Sequence, residues 1–331
     1  MHSPSAELVS SPLLRPVRRR RWLHRTLLAL VFLIVCAGGA IYWRPLWVLD
    51  KATLVWLRWA GVRSEYVQLG PHRIHYLLGG QGKPLVLVHG LGGKAQNFAL
   101  WIPSLVRNGY RVYALDLLGY GDSDRPDVDY SMALEADILN QFFDSQNIAQ
   151  ADLGGWSMGG WVALKFTLAH PERVRRVFVN DSAGVFFKPA FDPNLFHPTT
   201  PEQAQELLAW LTPQAGRIPR FVARDIIREL HPTRWVVDRA VKSMQSGADL
   251  LDEKLPSIQA PVLIVWGKQD ILIPLSCGEE MHQKIAGSSL AVFDGCGHFA
   301  PVECADRILP VTLKFLQAEP APVSSSREFP R

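Results

Sequence analysis

The amino-acid sequence predicts an α/β protein with a mostly parallel sheet, helices on both faces, an inserted helical cap and one N-terminal transmembrane helix. Short apolar strands alternate with helical segments after residue 64, as in parallel sheets. Residues 185–255 interrupt this alternation with a helix-rich, proline-punctuated stretch, after which the strands resume. Residues 26–43 form an uncharged run that, at ~1.5 Å per residue, approaches the thickness of a bilayer core.

Composition places the chain among folded proteins that bury a sizeable core. Of its 331 residues, 48% are hydrophobic and 20% are charged, which excludes wholesale disorder. The formal net charge of +4 resides in the N-terminal tail, because residues 1–25 hold six arginines and one acid, leaving −1 for the remainder. A nucleic-acid-binding domain would carry its basic residues on the folded part, so no nucleic-acid partner is expected.

The N-terminal region predicts a membrane anchor followed by a short helix. Residues 1–25 form a basic tail that the positive-inside rule keeps in the cytoplasm, so the remainder of the chain lies on the extracytoplasmic side. A cleaved signal peptide is the alternative for residues 26–43, since small residues at 37–40 offer a cleavage site. Residues 44–63 mix tryptophans with basic side chains, which fits an interfacial helix or a helix packed on the folded domain.

The alternation of elements divides the rest of the chain. The core covers residues 64–184 and 256–318, the cap covers 185–255, and residues 319–331 form a disordered tail. Continuous apolar runs such as 84–89 predict strands buried on both faces of the sheet. The predicted strands lie at 66–69, 73–78, 84–89, 111–117, 151–156, 174–180, 261–266 and 289–293. The predicted helices lie at 97–108, 131–147 (with Ser131 as N-cap), 158–170, 201–211, 218–230, 274–286 and 304–316.

The segment GWSMG at 155–159 places a G-x-S-x-G pattern between a strand and a helix. A turn of this kind holds its serine in a strained conformation, and the flanking glycines let other chain segments approach closely. Ser157 is therefore a candidate nucleophile at the carboxyl end of the sheet. A glycine-rich turn with an incidental serine is the alternative.

A serine hydroxyl needs a base, and that base needs an acid that fixes its tautomer. His298 is the candidate base, because it lies in the glycine-containing loop GCGHF after the last core strand. Asp270, four residues past the strand at 261–266, is the favoured acid, and Asp181 at the end of the preceding strand is its rival. His89 is expected to orient its own loop by hydrogen bonds.

Attack on a carbonyl group creates an oxyanion that needs fixed hydrogen-bond donors. The backbone amide of Met158, directly after the candidate nucleophile, is one such donor. The loop HGLGG at 89–93 supplies the other, and Leu91 N–H is favoured over Gly92 N–H. Asp116, which also follows a strand, is expected to order the loop at 117–124.

The four cysteines are Cys36, Cys277, Cys296 and Cys304, and no CxxC spacing suggests zinc binding or thioredoxin-like chemistry. Cys296 and Cys304 lie on either side of His298. Both a disulfide and buried free thiols fit the sequence, and free thiols are favoured. Cysteine usage therefore leaves the compartment open.

The segments HGLGG, GWSMGG, WGKQD and GCGHFAPVE, in this order, resemble the α/β-hydrolase superfamily over residues 64–318. Within it the sequence is similar to monoacylglycerol-lipase-like and membrane-anchored esterase members and to carbon–carbon-bond hydrolases. Haloalkane dehalogenases and epoxide hydrolases carry Asp at the nucleophile position, so Ser157 argues against both activities. The resemblance implies an α/β-hydrolase fold, a catalytic triad and an oxyanion hole at these positions: Ser157, Asp270 and His298, with Leu91 and Met158.

The expected function is that of a membrane-held serine hydrolase of carboxylic esters with lipid-like acyl groups. Its partners would be a small ester or lipid substrate and the bilayer, with no metal or organic cofactor, since HExxH, P-loop and GxGxxG motifs are absent from the sequence. Carbon–carbon-bond hydrolysis of vinylogous diketones is one alternative, and an inactive tethered interaction module is another. In the cap, Arg220, Arg224 or Arg228 would serve a carboxylate-bearing substrate or the protein surface.

Overall fold

A computed structural model describes residues 17–319 and 325–330, and within them nine strands form one sheet in the order β1-β2-β4-β3-β5-β6-β7-β8-β9. The pairs β1–β2 and β2–β4 are antiparallel, and every other neighbouring pair is parallel. The strands are β1 Val62–Leu69, β2 His72–Gly79, β3 Lys83–Val88, β4 Tyr110–Leu115, β5 Ala151–Trp156, β6 Val174–Asn180, β7 Val262–Gly267, β8 Ser288–Phe293 and β9 Ser325–Phe329.

Helices cover both faces of the sheet, as predicted. One apolar core lies between the sheet and helices α4, α5 and α9, and the other lies between the sheet and helices α3 and α11. The helices are α1 Val17–Trp43, α2 Pro45–Trp59, α3 Ile102–Arg107, α4 Met132–Ser145, α5 Met158–Ala169, α6 Pro201–Leu211, α7 Arg220–Leu230, α8 Arg234–Gln245, α9 Leu275–Lys284, α10 Ala300–Glu303 and α11 Ala305–Gln317.

The N-terminal helices differ in how they meet the rest of the protein. The segment His24–Trp43 of α1 is long and apolar enough to cross a membrane, and none of it is buried against the protein. Residues 1–16 of the predicted basic tail lie outside the described residues. Helix α2 buries Leu57 in the core beside α3, while large apolar side chains on its other face are exposed. The helix expected over 44–63 is shorter, because β1 already begins at Val62.

Residues 185–255 contain α6, α7 and α8, of which α8 was not predicted. The N-cap prediction for α4 is confirmed, since Ser131 Oγ accepts a hydrogen bond from Leu134 N at 3.0 Å. The disordered tail predicted over 319–331 is wrong for Ser325–Phe329, which forms β9 parallel to β8. Stacking of Phe329 on Phe293, with ring centroids 4.7 Å apart, gives this strand an apolar anchor.

Candidate active site

The backbone at Ser157 has the geometry of a sharp strand-to-helix turn. Its φ of 55° and ψ of −122° are unusual for a residue with a side chain. The glycines around it are required by close packing: a Cβ added at Gly155 would lie 2.3 Å from Gly159 O. A Cβ added at Gly159 would lie 2.2 Å from Val88 O. The turn therefore packs directly on the end of β3, which carries the next loop of the site.

The structure brings together the three side chains that the sequence proposed as nucleophile, base and acid. His298 Nε2 lies 2.9 Å from Ser157 Oγ, and His298 Nδ1 lies 2.8 Å from Asp270 Oδ2. The other carboxylate oxygen of Asp270 accepts hydrogen bonds from two backbone amides, Leu272 N and Ile273 N. A carboxylate beside Nδ1 keeps the proton on that nitrogen, so Nε2 is free to accept the serine proton.

The rival acid, Asp181, occupies a different environment. Its Oδ1 accepts a hydrogen bond from Gly267 N at 2.7 Å, while its buried Oδ2 has no partner within the described chain. Burial, reinforced by the negative charge of Asp270, raises the pKa of Asp181 well above its ordinary value. The imidazole of His298 hydrogen-bonds Asp270 instead.

The two backbone amides expected to hold an oxyanion are placed next to the serine by their loops. Met158 is the first residue of α5, so no carbonyl of its own helix can accept its N–H. Leu91 lies inside a turn closed by Gly93 N donating to Gly90 O at 3.0 Å, a bond that does not use the Leu91 amide. A Cβ added at Gly90 would lie 3.0 Å from Ser157 Cβ, which shows how closely this loop approaches.

His89 orients this loop, as predicted. Its ring is fully buried; Nδ1 lies 2.7 Å from Gly90 O, and Nε2 accepts a hydrogen bond from Leu117 N at 3.0 Å. Nδ1 therefore carries the proton and donates to the carbonyl oxygen. Burial lowers the pKa of His89, which keeps the ring neutral. The bonds tie the candidate oxyanion loop to the loop after β4.

The loop after β4 is organised by Asp116, as the sequence suggested, but through a partner that it did not. Asp116 accepts hydrogen bonds from Asp122 N and Ala95 N at 2.7 and 2.6 Å, and His75 Nδ1 lies 2.7 Å from its Oδ2. Burial opposes ionisation of Asp116, but hydrogen bonds and charge interactions, first among them those with His75, together outweigh it and lower its pKa. His75 lies in the antiparallel strand β2, and nothing about that position in the sequence indicated that it would pair with Asp116.

Glu135 is a buried acid that the sequence reading missed. It lies on α4 beneath the same loop, where its Oε2 accepts a hydrogen bond from Leu118 N at 3.2 Å. Burial raises its pKa to about 8, against a smaller opposing effect of that hydrogen bond. Its spacing from Ile138 and Leu139 placed it on the apolar face of the predicted helix, which was the available signal.

The loop that carries His298 is held by a disulfide and by the cap. Cys296 and Cys304 are bonded, so the preference for free thiols is wrong for this pair. Glu303, also missed from sequence, accepts hydrogen bonds from Gly297 N at 2.6 Å and from Thr212 Oγ1 at the end of α6. These bonds fix the loop against the core on one side and the cap on the other.

The cap covers the site with its own apolar core. Ser157 is only 8% exposed and His298 2%. Phe299 N donates to Leu211 O at 2.8 Å, which attaches α6 to the histidine loop. Apolar residues of the cap pack on one another and on Leu272: Phe191, Leu195, Phe196, Leu207, Trp210 and Leu211.

This fold and this arrangement of loops agree with the comparison with known families. A model described as the alpha/beta hydrolase family matches residues 85–311. The match spans more than half of the chain, so the chain belongs to the alpha/beta hydrolase family. The fold expected from sequence is thereby confirmed.

Individual relatives divide between two chemistries. The chain is 32% identical, over 262 residues, to a 2-hydroxy-6-oxononadienedioate/2-hydroxy-6-oxononatrienedioate hydrolase of Escherichia coli (strain K12), covering 74% of this chain and 91% of that protein. The structure of a membrane phospholipase A, a bacterial virulence factor, matches with a TM-score of 0.75 and 29% identity, covering 88% of this chain and 98% of that one. A meta-cleavage product hydrolase from Pseudomonas fluorescens IP01 matches with a TM-score of 0.66 and 26% identity, covering 76% and 97%.

Proposed function

We propose that the protein is a membrane-anchored serine hydrolase that cleaves carboxylic esters with lipid-like acyl groups. The observation that carries the proposal is the continuous line of contacts from Ser157 Oγ through the His298 ring to Asp270, at 2.9 and 2.8 Å. Candidate nucleophile and base within hydrogen-bond reach, with the base oriented by a third group, are the signature of covalent catalysis by serine.

Each residue has a defined task in this reaction. Ser157 Oγ forms a bond to the substrate carbonyl carbon while His298 Nε2 takes its proton, and Asp270 stabilises the resulting imidazolium. The Met158 and Leu91 amides hold the oxyanion. Its collapse expels the alcohol, which leaves with the proton from His298, and the acyl group remains on Ser157. Water then attacks the acyl carbon while giving a proton to His298. The bond to Ser157 Oγ breaks, His298 returns the proton to this oxygen, and the carboxylic acid leaves.

The N-terminal region favours an ester of a lipid as substrate. Helix α1 has the length and composition of a membrane span. Residues 64–331 make up about four-fifths of the chain, so a match covering 88% with the membrane phospholipase A must extend into the N-terminal 63 residues. Phospholipase A activity is, by definition, hydrolysis of a carboxylic ester in a phospholipid. An enzyme tethered beside the bilayer would meet such substrates at high local concentration.

Two independent features support placing the hydrolase domain on the extracytoplasmic side. The arginine-rich N-terminus favours a cytoplasmic location for the start of α1. The Cys296–Cys304 disulfide is typical of an oxidising compartment. A reporter that is active only in the cytoplasm should therefore stay inactive when it is fused at the carboxyl end. If residues 26–43 are a retained anchor, the mass of the mature chain should include them. An active reporter would reverse the orientation.

Carbon–carbon-bond hydrolysis is the second candidate, favoured by the 32% identity to the 2-hydroxy-6-oxononadienedioate hydrolase. Both reactions begin at a carbonyl carbon and need a serine, a base and oxyanion donors. These residues therefore do not distinguish the two activities, and the substrates that the protein hydrolyses do. The full chain in detergent should be offered p-nitrophenyl esters of increasing acyl length, a phospholipid and 2-hydroxy-6-oxononadienedioate.

Hydrolysis of long-chain esters, lost in Ser157→Ala and retained in the control Ser145→Ala, is the expected result. Turnover of the dienedioate alone would favour the second candidate. A fluorophosphonate probe should label wild type and Ser145→Ala but leave Ser157→Ala unlabelled. A folded wild type that the probe does not label would point to the inactive interaction module.

A further inference from the structure

Cap helix α7 lies beside the end of the helix that could cross the membrane. The ring of Phe221 on α7 stacks on Tyr42 with centroids 5.3 Å apart. Arg228 donates to Trp43 O at 2.8 Å, and its guanidinium carbon lies 5.4 Å from the Trp43 ring centroid. These contacts put α7 at the level where α1 ends.

An ionic cluster around the buried Asp225 fixes the rotation of α7 about its own axis. The side chain of Asp225 is fully buried, and it accepts hydrogen bonds from Arg44 Nε at 3.0 Å, Leu46 N at 2.8 Å and Arg228 Nη1 at 2.9 Å. Arg44 also pairs with Glu229. Because Asp225 is bonded on several sides, the faces of α7 point in defined directions relative to α1.

The order of contacts around α7 shows which face looks back along α1. Successive helical residues rotate by about 100°. Around the helix, at intervals of about 40° or less, the side chains follow in the order Glu229, Asp225, Phe221, Arg228, Arg224 and Arg220. The first two contact Arg44, just beyond α1, and the next two contact Tyr42 and Trp43 within it. Arg224 and Arg220 come next around the helix, beside Arg228 on the side that faces away from Arg44.

These two arginines have little to neutralise them. Arg224 is exposed and forms no ion pair with any acid in residues 17–319 or 325–330. Arg220 is 72% exposed, and its one acidic neighbour, Glu202, is 3.8 Å away and equally exposed, so this pair contributes little. Both arginine side chains are exposed to solvent rather than packed in the cap interior, where Ala223 of the same helix is buried.

We propose that Arg220 and Arg224 bind the headgroups of anionic phospholipids in the leaflet from which α1 emerges, and so dock the cap on the bilayer. The proposal rests on the membrane anchoring included in the proposed function. Guanidinium groups bind phosphate in a forked geometry, and the position beside the end of α1 brings them to headgroup depth. Of the two roles considered from sequence for these arginines, the structure favours the protein surface.

The test uses the full chain reconstituted in nanodiscs of mixed phosphatidylcholine and phosphatidylglycerol that contain a photoactivatable phosphatidylglycerol. Each basic side chain at an anionic surface strengthens the association about fivefold. Peptides covering α7 should be labelled in wild type and at least about fivefold less in Arg220→Gln/Arg224→Gln. Arg107→Gln is the matched control, because Arg107 is exposed at the end of α3, next to the amino end of β4.

Equal labelling of α7 in wild type and the double variant overturns the proposal, as does equal labelling of wild type by a photoactivatable phosphatidylcholine. Labelling of α1 in the same sample reports membrane insertion, and its absence overturns both the anchor and the docking. The double variant should hydrolyse a soluble short-chain ester as fast as wild type. Absence of hydrolysis by wild type would count against the proposed function alone, since labelling does not require turnover.

Discussion

Replacing Asp270 by Asn tests the assignment of the acid while changing almost no volume. Asp270 Oδ2 lies 2.8 Å from His298 Nδ1, and its Oδ1 already accepts two backbone amides. The asparagine oxygen would stay with those amides, so its NH₂ would face Nδ1. That donor forces Nδ1 to act as acceptor and moves the ring proton to Nε2, which can then no longer accept the proton of Ser157.

The size of the loss follows from this change of tautomer. A wrong tautomer in an otherwise intact triad lowers kcat by about 10⁴, which corresponds to about 5.5 kcal/mol of transition-state stabilisation. We expect this loss for Asp270→Asn in the hydrolysis of a p-nitrophenyl ester by the detergent-solubilised full chain. The rate of fluorophosphonate labelling should fall in parallel, because it needs the same activated serine.

Asp181→Asn is the matched control, since it makes the same chemical change at the neighbouring buried acid. Burial and the charge of Asp270 raise the pKa of Asp181, which favours the uncharged acid, and an amide mimics that form. Its oxygen can still accept from Gly267 N. We expect kcat to fall less than about tenfold, which is less than 1.4 kcal/mol. A larger loss in Asp181→Asn than in Asp270→Asn would refute the assignment.

Two further predictions concern stability. The disulfide closes a short loop around His298 and should contribute about 2–3 kcal/mol to the free energy of unfolding. Reductant should therefore lower the Tm of wild type and of Cys277→Ser, but not that of Cys304→Ser. An unchanged wild-type Tm in reductant would contradict this. In the folded protein the pKa of Glu135 is raised from 4.5 to about 8. The wild type should therefore lose stability relative to Glu135→Gln as the pH rises from 4.5 to 8. The loss should be at most about 1.4 kcal/mol per pH unit. Denaturant unfolding at pH 5 and 8 measures this, and a pH-independent difference between the two proteins would show that Glu135 does not titrate in this range.

The side chains of the candidate site were predictable because local sequence signals fix each one. The turn at Ser157 needs glycines on both sides, and they are visible in the sequence. Asp270 and His298 each follow an apolar run that predicts a strand, and the carboxyl ends of parallel strands meet at one edge of the sheet. Asp270 and Asp181 both satisfy this rule, so the sequence favoured Asp270 but kept Asp181 as its rival. Only the hydrogen bond to His298 Nδ1 separates them.

Features that depend on contacts between distant segments gave no such signal. β9 is short and polar, and it forms because Phe329 can stack on Phe293 at the edge of the sheet. Arg44 and Asp225 are separated by 181 positions, and in the sequence each is an ordinary charged residue next to an apolar segment. Their pairing follows only from the way in which the cap folds over the end of α1.

The buried acids of this protein share one structural task, and their hydrogen-bond partners influence their pKa. Glu135, Asp181, Asp116 and Asp225 each accept a backbone amide from another segment, so each joins two parts of the chain. Asp116 has the ring of His75 within hydrogen-bond distance, and its pKa is lowered despite burial. Glu135 and Asp181 have no cation as a hydrogen-bond partner among the described residues, and burial raises the pKa of both. Two of the junctions beside the candidate nucleophile are therefore made by carboxyl groups whose pKa is raised, and rising pH should weaken these junctions as the two groups lose their protons.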